Sequence, residues 1–286
     1  GDIYLGKVKK IVPGLNASFV NVGHAKDGFL HYLDLGAQVN SFKKFTIKAR
    51  DKKLNTASLK NFRREKDTLK DGKIQEVLKS GDHILVQVSK EPISSKGPRL
   101  STELSFAGRY MVLIPFSDRV SISQKIGSSE EKSRLKKLIH SIKPKGFGVI
   151  IRTVAEGKKV AELDRDMKNL YKKWQTIFKK LKTSELTDRI HGELNRSSAI
   201  LRDLLNSEFS KIHVNNPDLQ SELKEYLSRI SPEQEKIVKL YKGEAPIFQK
   251  MGITQQVKSS FGKTANMKNG TYLVIEHTEA LHVIDV

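Results

Sequence analysis

In the first third of this chain, short apolar runs alternate with polar residues and are interrupted every few positions by glycine or proline. That pattern restricts the segment to a small all-β unit. Ile3–Val12 reads as a strand, Pro13-Gly14 as a turn, residues 17–22 as a strand, 23–27 as a loop and Gly28–His31 as a short strand. The alternation resumes at 83–89 and again at 99–106. Short strands joined by Gly and Pro turns predict a five-stranded barrel.

Residues 38–80 break that pattern. Lys43 to Lys79 carries 13 basic and 5 acidic side chains, a net of +8. Only 74–78 has helical character there, and the middle shows no steady period. The segment is expected to be a long basic insertion in a barrel loop, either a solvated loop or a surface that touches phosphates, ordering when it does so. The whole chain of 286 residues has 52 Lys plus Arg against 32 Asp plus Glu, a formal net charge of +20. This excess points to a polyanion, with nucleic acid ahead of an anionic membrane, because no basic helix with a Trp/Phe/Leu face is evident. A barrel of the oligonucleotide-binding (OB) kind fits that partner.

The remaining sequence is mixed. A buried strand is expected at 110–115, a helix at 130–142 and a strand at 147–153. A long helix is expected over Val160–Leu181, with Leu163, Met167, Leu170, Trp174, Ile177 and Leu181 on one face. Residues 182–193 have linker composition. Helices at 195–206, Pro217–Ile230 and 253–261 alternate with short strands at Ile212–Val214 and 237–241, so the third region is α/β. The closing residues 271–286 read as a buried strand, a tight turn and a strand delivering Asp285. The chain starts inside a strand pattern and stops where its chemistry would begin, so further sequence is expected on both sides. With no cysteine, no disulfide or thiolate zinc site lies within these residues, and a reducing, cytoplasmic setting is expected. No signal peptide and no apolar run long enough to span a bilayer are visible.

Three constellations could carry function. Phe19 and Phe29 lie on neighbouring barrel strands beside small residues, as stacking platforms for bases would, and Lys96 is on a loop within reach of a phosphate. The competing reading makes both rings core. The strand end Arg152-Thr153 offers a guanidinium fork and a hydroxyl to a terminal phosphate, with Gly108 allowing close backbone approach. The competing reading is a surface ion pair and a cap. Asp285 has the position of a Mg²⁺ ligand at a strand end, or simply ends a strand. His277 and His282 are expected to be ordinary surface or core histidines. No Ser/His/Asp arrangement, phosphate-binding Gly-Lys-Ser/Thr loop or dinucleotide fingerprint is present.

The ordered motifs resemble the ribonuclease E/ribonuclease G family. They are Ala17-Ser-Phe-Val-Asn-Val-Gly23, Asp27-Gly-Phe-Leu30, Lys96-Gly-Pro-Arg-Leu-Ser-Thr102, Ala107-Gly-Arg-Tyr-Met-Val-Leu-Ile-Pro115 and Gly148-Val-Ile-Ile-Arg-Thr153. Asn215-Asn-Pro217, Tyr241-Lys-Gly-Glu-Ala-Pro-Ile-Phe248 and Thr278-Glu-Ala-Leu-His-Val-Ile-Asp285 continue the series. The resemblance implies an α+β multidomain chain. Residues 1–106 would be an S1 RNA-binding barrel of the OB type with the 38–80 insertion, and 107–183 an α/β 5′-sensor. Residues 184–270 would be part of a ribonuclease H-like α/β subdomain, and 271–286 the start of a deoxyribonuclease I-like catalytic subdomain.

It implies a Mg²⁺-dependent endoribonuclease that cuts single-stranded RNA in processing and decay, is stimulated by a 5′-monophosphate and uses a metal-activated water. Carried over by position, Phe19, Phe29 and Lys96 would contact RNA. Gly108, Val112, Arg152 and Thr153 would form the monophosphate pocket, and Asp285 would be a catalytic Mg²⁺ ligand. The ion's second Asp and a Cys-based zinc link would lie beyond these residues, and the full-length protein would be a homodimer or homotetramer. One Arg of the family's sensor corresponds to Gln124, beside Lys125. The alternatives are a non-catalytic S1-type RNA-binding module and a binder of acidic proteins.

Overall fold

The first strand, β1 (Ile3–Val12), is apolar on both sides at its start because both of its faces are covered. Ile3 and Leu5 pack into one core, and Tyr4 and Val8 into another. Together with β2 (Ala17–Asn21), β3 (Gly28–His31), β4 (His83–Lys90) and β5 (Arg99–Ser101) it closes a barrel in the order β1-β2-β3-β5-β4-β1. Only the β3–β5 contact is parallel. The fold is thus α+β with an OB-like five-stranded barrel. Val20, Leu30, Val86 and Leu100 fill its interior. Gly28 admits that filling, since a Cβ there would lie 2.4 Å from Leu100 Cδ1.

The computed structural model describes residues 1–206 and 208–286, in two compact units, Gly1–Asp203 and Leu204–Val286. Beyond the barrel, the first unit holds a four-stranded sheet in the order β6 (Phe106–Ala107), β7 (Met111–Pro115), β9 (Phe147–Ile151), β8 (Val120–Ile122). Two helices cover its inner face, α3 (Ser129–Ile142) and α4 (Val160–Leu181). Ser128 caps α3 by accepting the Glu131 N–H. The run expected as one strand at 99–106 divides, with its ends in different sheets.

Two expectations change. The basic insertion is not a loop with one short helical piece. It opens with a twelve-residue helix, α1 (Val39–Arg50), and adds α2 (Ile74–Val77). Val39, Phe42, Phe45 and Ala49 of α1 recur at helical spacing and are buried. The Phe45 ring lies 4.9 Å from that of Trp174 on α4, whose Nε1 donates to the Ala57 carbonyl at 2.8 Å. Second, the presumed linker returns to the barrel: β10 (Arg189–His191) pairs antiparallel with the start of β1. The helix α5 (Arg196–Leu204) follows.

In the second unit β11 (Ile212–Val214) and β12 (Val238–Leu240) form a parallel pair against α6 (Pro217–Ile230), capped by Asn216. After α7 (Ile247–Lys250) and α8 (Ile253–Ser260) comes an antiparallel sheet of β13 (Thr264–Asn266), β14 (Tyr272–His277) and β15 (His282–Asp285). The first strand of that closing hairpin was expected to be buried. Instead β14 is only half-buried, at Leu273, Val274 and Ile275, and exposed at its ends, and β15 is exposed throughout, because no apolar layer covers them among the described residues. No helix among the described residues is long and apolar enough to cross a membrane.

The insertion shares a core with the second sheet, so its anchoring ring matters to the whole first unit. Phe45→Ala should lower unfolding free energy by about 3–5 kcal/mol, read as a reduced urea midpoint. A midpoint unchanged within error would show that α1 does not stabilise the unit.

Candidate nucleic-acid interface

Strand register brings four separate sequence positions into one row across the barrel. Lys10 pairs with Phe19, Phe19 with Phe29, and Phe29 with Arg99. Paired residues project from the same face of a sheet, and neither Phe belongs to the core. Both rings are half-buried, 5.8 Å apart in an edge-to-face contact, with His31 next along at 6.5 Å from Phe29. The residues flanking them in sequence, Ser18, Val20, Gly28 and Leu30, are buried. The result is two adjacent aromatic faces with an exposed cation at each end.

Lys96 approaches this face through its backbone. The Phe29 N–H donates to the Pro98 carbonyl at 2.8 Å. Gly97 passes so close to the preceding loop that a Cβ would sit 2.1 Å from the Asp27 carbonyl oxygen. The Lys96 side chain is exposed. Two cations are already engaged: Arg99 makes a two-pronged contact with Asp34, at 2.9 and 3.1 Å, and Lys9 pairs with Asp27 at 3.1 Å. Lys10 and Arg99 were missed in the sequence reading. The position of each depends on cross-strand register, which composition does not reveal.

The second cluster forms at the ends of β7 and β9. Arg152 donates from Nη1 to the Gly108 carbonyl at 2.9 Å, and its backbone N–H donates to the Tyr110 carbonyl at 2.9 Å. The Thr153 hydroxyl shares a 2.8 Å hydrogen bond with that of Ser123, which immediately precedes the exposed Gln124 and Lys125. Gly108, Arg152 and Thr153 therefore meet at one rim. Val112 lies apart from it, on the outer face of the sheet. With Ile114 and Ile150 it floors a cleft of about 370 Å³ whose other wall includes Gln87, Ser89 and Ser101 of the barrel.

Two carboxylates, neither anticipated, organise this rim. Asp166 on α4 accepts the backbone N–H groups of Arg109 at 3.3 Å and Tyr110 at 2.9 Å, and a Cβ on Gly108 would meet it at 2.5 Å. Burial pushes its carboxyl above the ordinary range despite those hydrogen bonds. Burial also raises the Tyr110 phenol to about 12, helped by the Glu162 carboxylate that its hydroxyl contacts. Asp203 on α5 meets Arg152 at 2.7 Å and is gripped by Arg202 as well. Burial acts to raise the Asp203 carboxyl, but hydrogen bonds from Arg202 and Arg152 outweigh it and hold the group low. Beneath them Lys173 is pulled down by burial, with Glu193 partly opposing.

Asp285 ends β15, opposite Val274, fully exposed, its Oδ1 accepting the Val286 N–H at 3.0 Å. His277 and His282 face each other across the same hairpin with their Nδ1 atoms in contact. Among the described residues no group of three or more His, Asp or Glu converges to hold a metal ion. Mg²⁺ is held through carboxylates together with further oxygen ligands. A single exposed carboxylate does not make a site for the ion by itself.

Residues 105–286 match the Ribonuclease E/G family. The chain is similar over its full length to ribonuclease G of Haemophilus influenzae and to that of Escherichia coli K12, at 32% identity to each, and to ribonuclease E of Synechocystis, at 34%. It spans 54% and 55% of the two ribonuclease G chains and 39% of the ribonuclease E chain, so about half the length of the ribonuclease G relatives. The chain belongs to the ribonuclease E/G family.

Asp166→Ala should leave the Arg109 and Tyr110 N–H groups without their acceptor and cost about 1–3 kcal/mol. Chemical denaturation checks this, with amide exchange at residues 109 and 110 expected to rise. Unchanged exchange there would remove Asp166 as the organiser of the Gly108 turn.

Proposed function

We propose that this chain is the RNA-holding region of a Mg²⁺-dependent endoribonuclease that cuts single-stranded RNA in RNA processing and decay and is stimulated by a 5′-monophosphate. The observation that carries the reading is the row Lys10–Phe19–Phe29–Arg99, two outward rings between two exposed cations on an OB-like barrel. Every base has a face to stack, so an aromatic pair grips unpaired strands of any sequence while cations follow the backbone. The chain's +20 charge supports the same partner. Lys96, on the loop bonded to β3, would take a neighbouring phosphate.

The rim of Gly108, Arg152 and Thr153 would receive the strand's 5′-monophosphate. A guanidinium and a hydroxyl offer charge-assisted and neutral donors to phosphate oxygens, and the Gly108 turn leaves room for the group. Val112 would meet the nucleoside beside it rather than the phosphate, because an aliphatic side chain has no donor to give. A phosphate entering this rim must compete with the Asp203 carboxylate for Arg152. Gln124 and Lys125 stand next to Ser123 and would complete the rim, Lys125 supplying the cation. Asp285 would be one catalytic Mg²⁺ ligand, the remaining ligands and any zinc link coming from other parts of the full-length protein. That protein would be cytoplasmic and would assemble as a homodimer or homotetramer.

Two measurements test the reading. Phe29→Ala should weaken binding of a single-stranded oligoribonucleotide by about 5- to 100-fold, the value of one stacked base, with the melting temperature nearly unchanged. A large drop in melting temperature with unchanged affinity would make Phe29 a core residue instead. In the full-length protein, 5′-monophosphorylated RNA should be cut faster than 5′-hydroxyl RNA, and Arg152→Ala should erase the difference. Equal rates in the unaltered protein would remove the sensor assignment, and binding without any cleavage would favour a non-catalytic RNA-binding module.

A further inference from the structure

The insertion is a strongly charged element that the aromatic face and the phosphate rim leave unused. Its apolar residues are turned inward: Phe42, Phe45, Ala57 and Leu59 are buried with α4 and the second sheet. The segment is therefore a fixed scaffold. Its outer side keeps the charge. Four of its cations are held by carboxylates, Lys43 by Asp82, Lys44 by Glu65, Lys53 by Asp51 and Arg64 by Asp118. Lys48, Lys60, Lys66, Lys73 and Lys79 make no ion pair among the described residues. A groove of about 460 Å³ runs along the outer side of α1, lined by Lys43, Lys44, Lys48 and Lys53 and also by the carboxylates Asp51 and Glu65.

The insertion is also continuous with the aromatic row. Its last part is bonded to the first barrel turn: the Asn16 side chain donates to the Gly72 carbonyl at 3.1 Å and accepts the Ile74 N–H at 2.7 Å. The Ser80 hydroxyl donates to the Lys9 carbonyl at 2.8 Å, one residue from Lys10, which pairs with Phe19. Lys73 and Lys79 thus belong to the stretch that borders β1 beside the stacking face.

We propose that the 38–80 insertion is a second RNA-binding surface, taking the phosphates of a strand longer than the segment stacked on Phe19 and Phe29. This rests on the reading that the Phe19–Phe29 face holds single-stranded RNA. Ordered like charges with no internal partner repel one another, and a polyanion relieves that repulsion while releasing its own counterions. A membrane surface fits poorly. The apolar face of α1 is spent inward and leaves Ile47 as its only large exposed apolar side chain, where an interfacial helix needs a whole face. A protein partner would want a cluster of aromatic or aliphatic anchors, and across the insertion the large exposed apolar side chains are only Ile47 and Leu69.

The test titrates this chain with single-stranded oligoribonucleotides of about 6 and about 24 nucleotides, the first short enough for one OB-type site, over a range of salt. The variant carries Lys48→Gln, Lys60→Gln, Lys66→Gln, Lys73→Gln and Lys79→Gln together, and circular dichroism confirms its fold. Binding of the long strand should fall by about tenfold or more, and its log–log salt slope should drop by about 3.5, from five lost contacts to a single strand. Binding of the short strand should stay within about twofold, a difference below 0.5 kcal/mol. Phe29→Ala should weaken both strands. If the lysine variant keeps the long strand's affinity and slope while Phe29→Ala weakens both, the insertion proposal is overturned and the aromatic face survives. If Phe29→Ala weakens neither strand, the aromatic reading fails, and the insertion with it as an extension of that track. Loss of binding to phosphatidylglycerol vesicles with an unchanged RNA slope would also overturn it, in favour of a membrane.

Discussion

The indole of Trp174 joins the parts of the first unit. It is fully buried, it donates its only polar hydrogen to the Ala57 carbonyl of the basic insertion, and its ring contacts Phe45, Phe106, Phe116 and Phe147. Those four rings come from α1, β6, the residue after β7, and β9. Aromatic clusters of this kind combine large apolar burial with preferred edge-on geometry, and the one buried N–H is satisfied, as burial requires. Through this contact a segment rich in lysine is anchored to a helix residue 117 positions further along the chain.

That anchoring has consequences for the two candidate clusters. The start of β1 and the middle of β4 are buried on both faces, by the barrel interior on one side and by the shared core of α1 and α4 on the other. The outer face carrying Phe19 and Phe29 belongs instead to β2 and β3, which that second core leaves uncovered. At the rim of Gly108 and Arg152, α4 supplies Asp166 to fix the turn at Gly108. α5 supplies Asp203 to hold Arg152. The guanidinium is therefore preorganised by a carbonyl and a carboxylate, the groups that a phosphate would partly replace.

Some of this was legible in the residues. The first three strands follow from alternation and Gly/Pro punctuation, and α4 from six apolar positions at helical spacing. The α1 helix was hidden although Val39, Phe42, Phe45 and Ala49 carry the right period. Ser41 and Thr46 are buried among them, and the surrounding lysines made the stretch look like a solvated loop. β10 offers three residues, Arg-Ile-His, with no pattern of their own. It is a strand because the start of β1 presents an edge for it to pair with. The first strand of the closing hairpin reads as buried from its run of Leu, Val and Ile, a composition that equally suits a strand left half-covered within these residues.

By itself the sequence determined what is local: where the chain turns, which runs are apolar at period two or 3.6, the large positive charge, and the motifs shared with the ribonuclease E/G family. Only the tertiary structure decided what depends on partners distant in the chain. It set Phe19 and Phe29 outward and side by side, brought Lys10 and Arg99 to their ends, and turned a basic loop into a packed helix. It also gave Arg152 a carboxylate neighbour 51 positions away. Backbone conformation and burial preference act within a few residues, whereas register and shared cores emerge only when elements far apart in the chain close on one another.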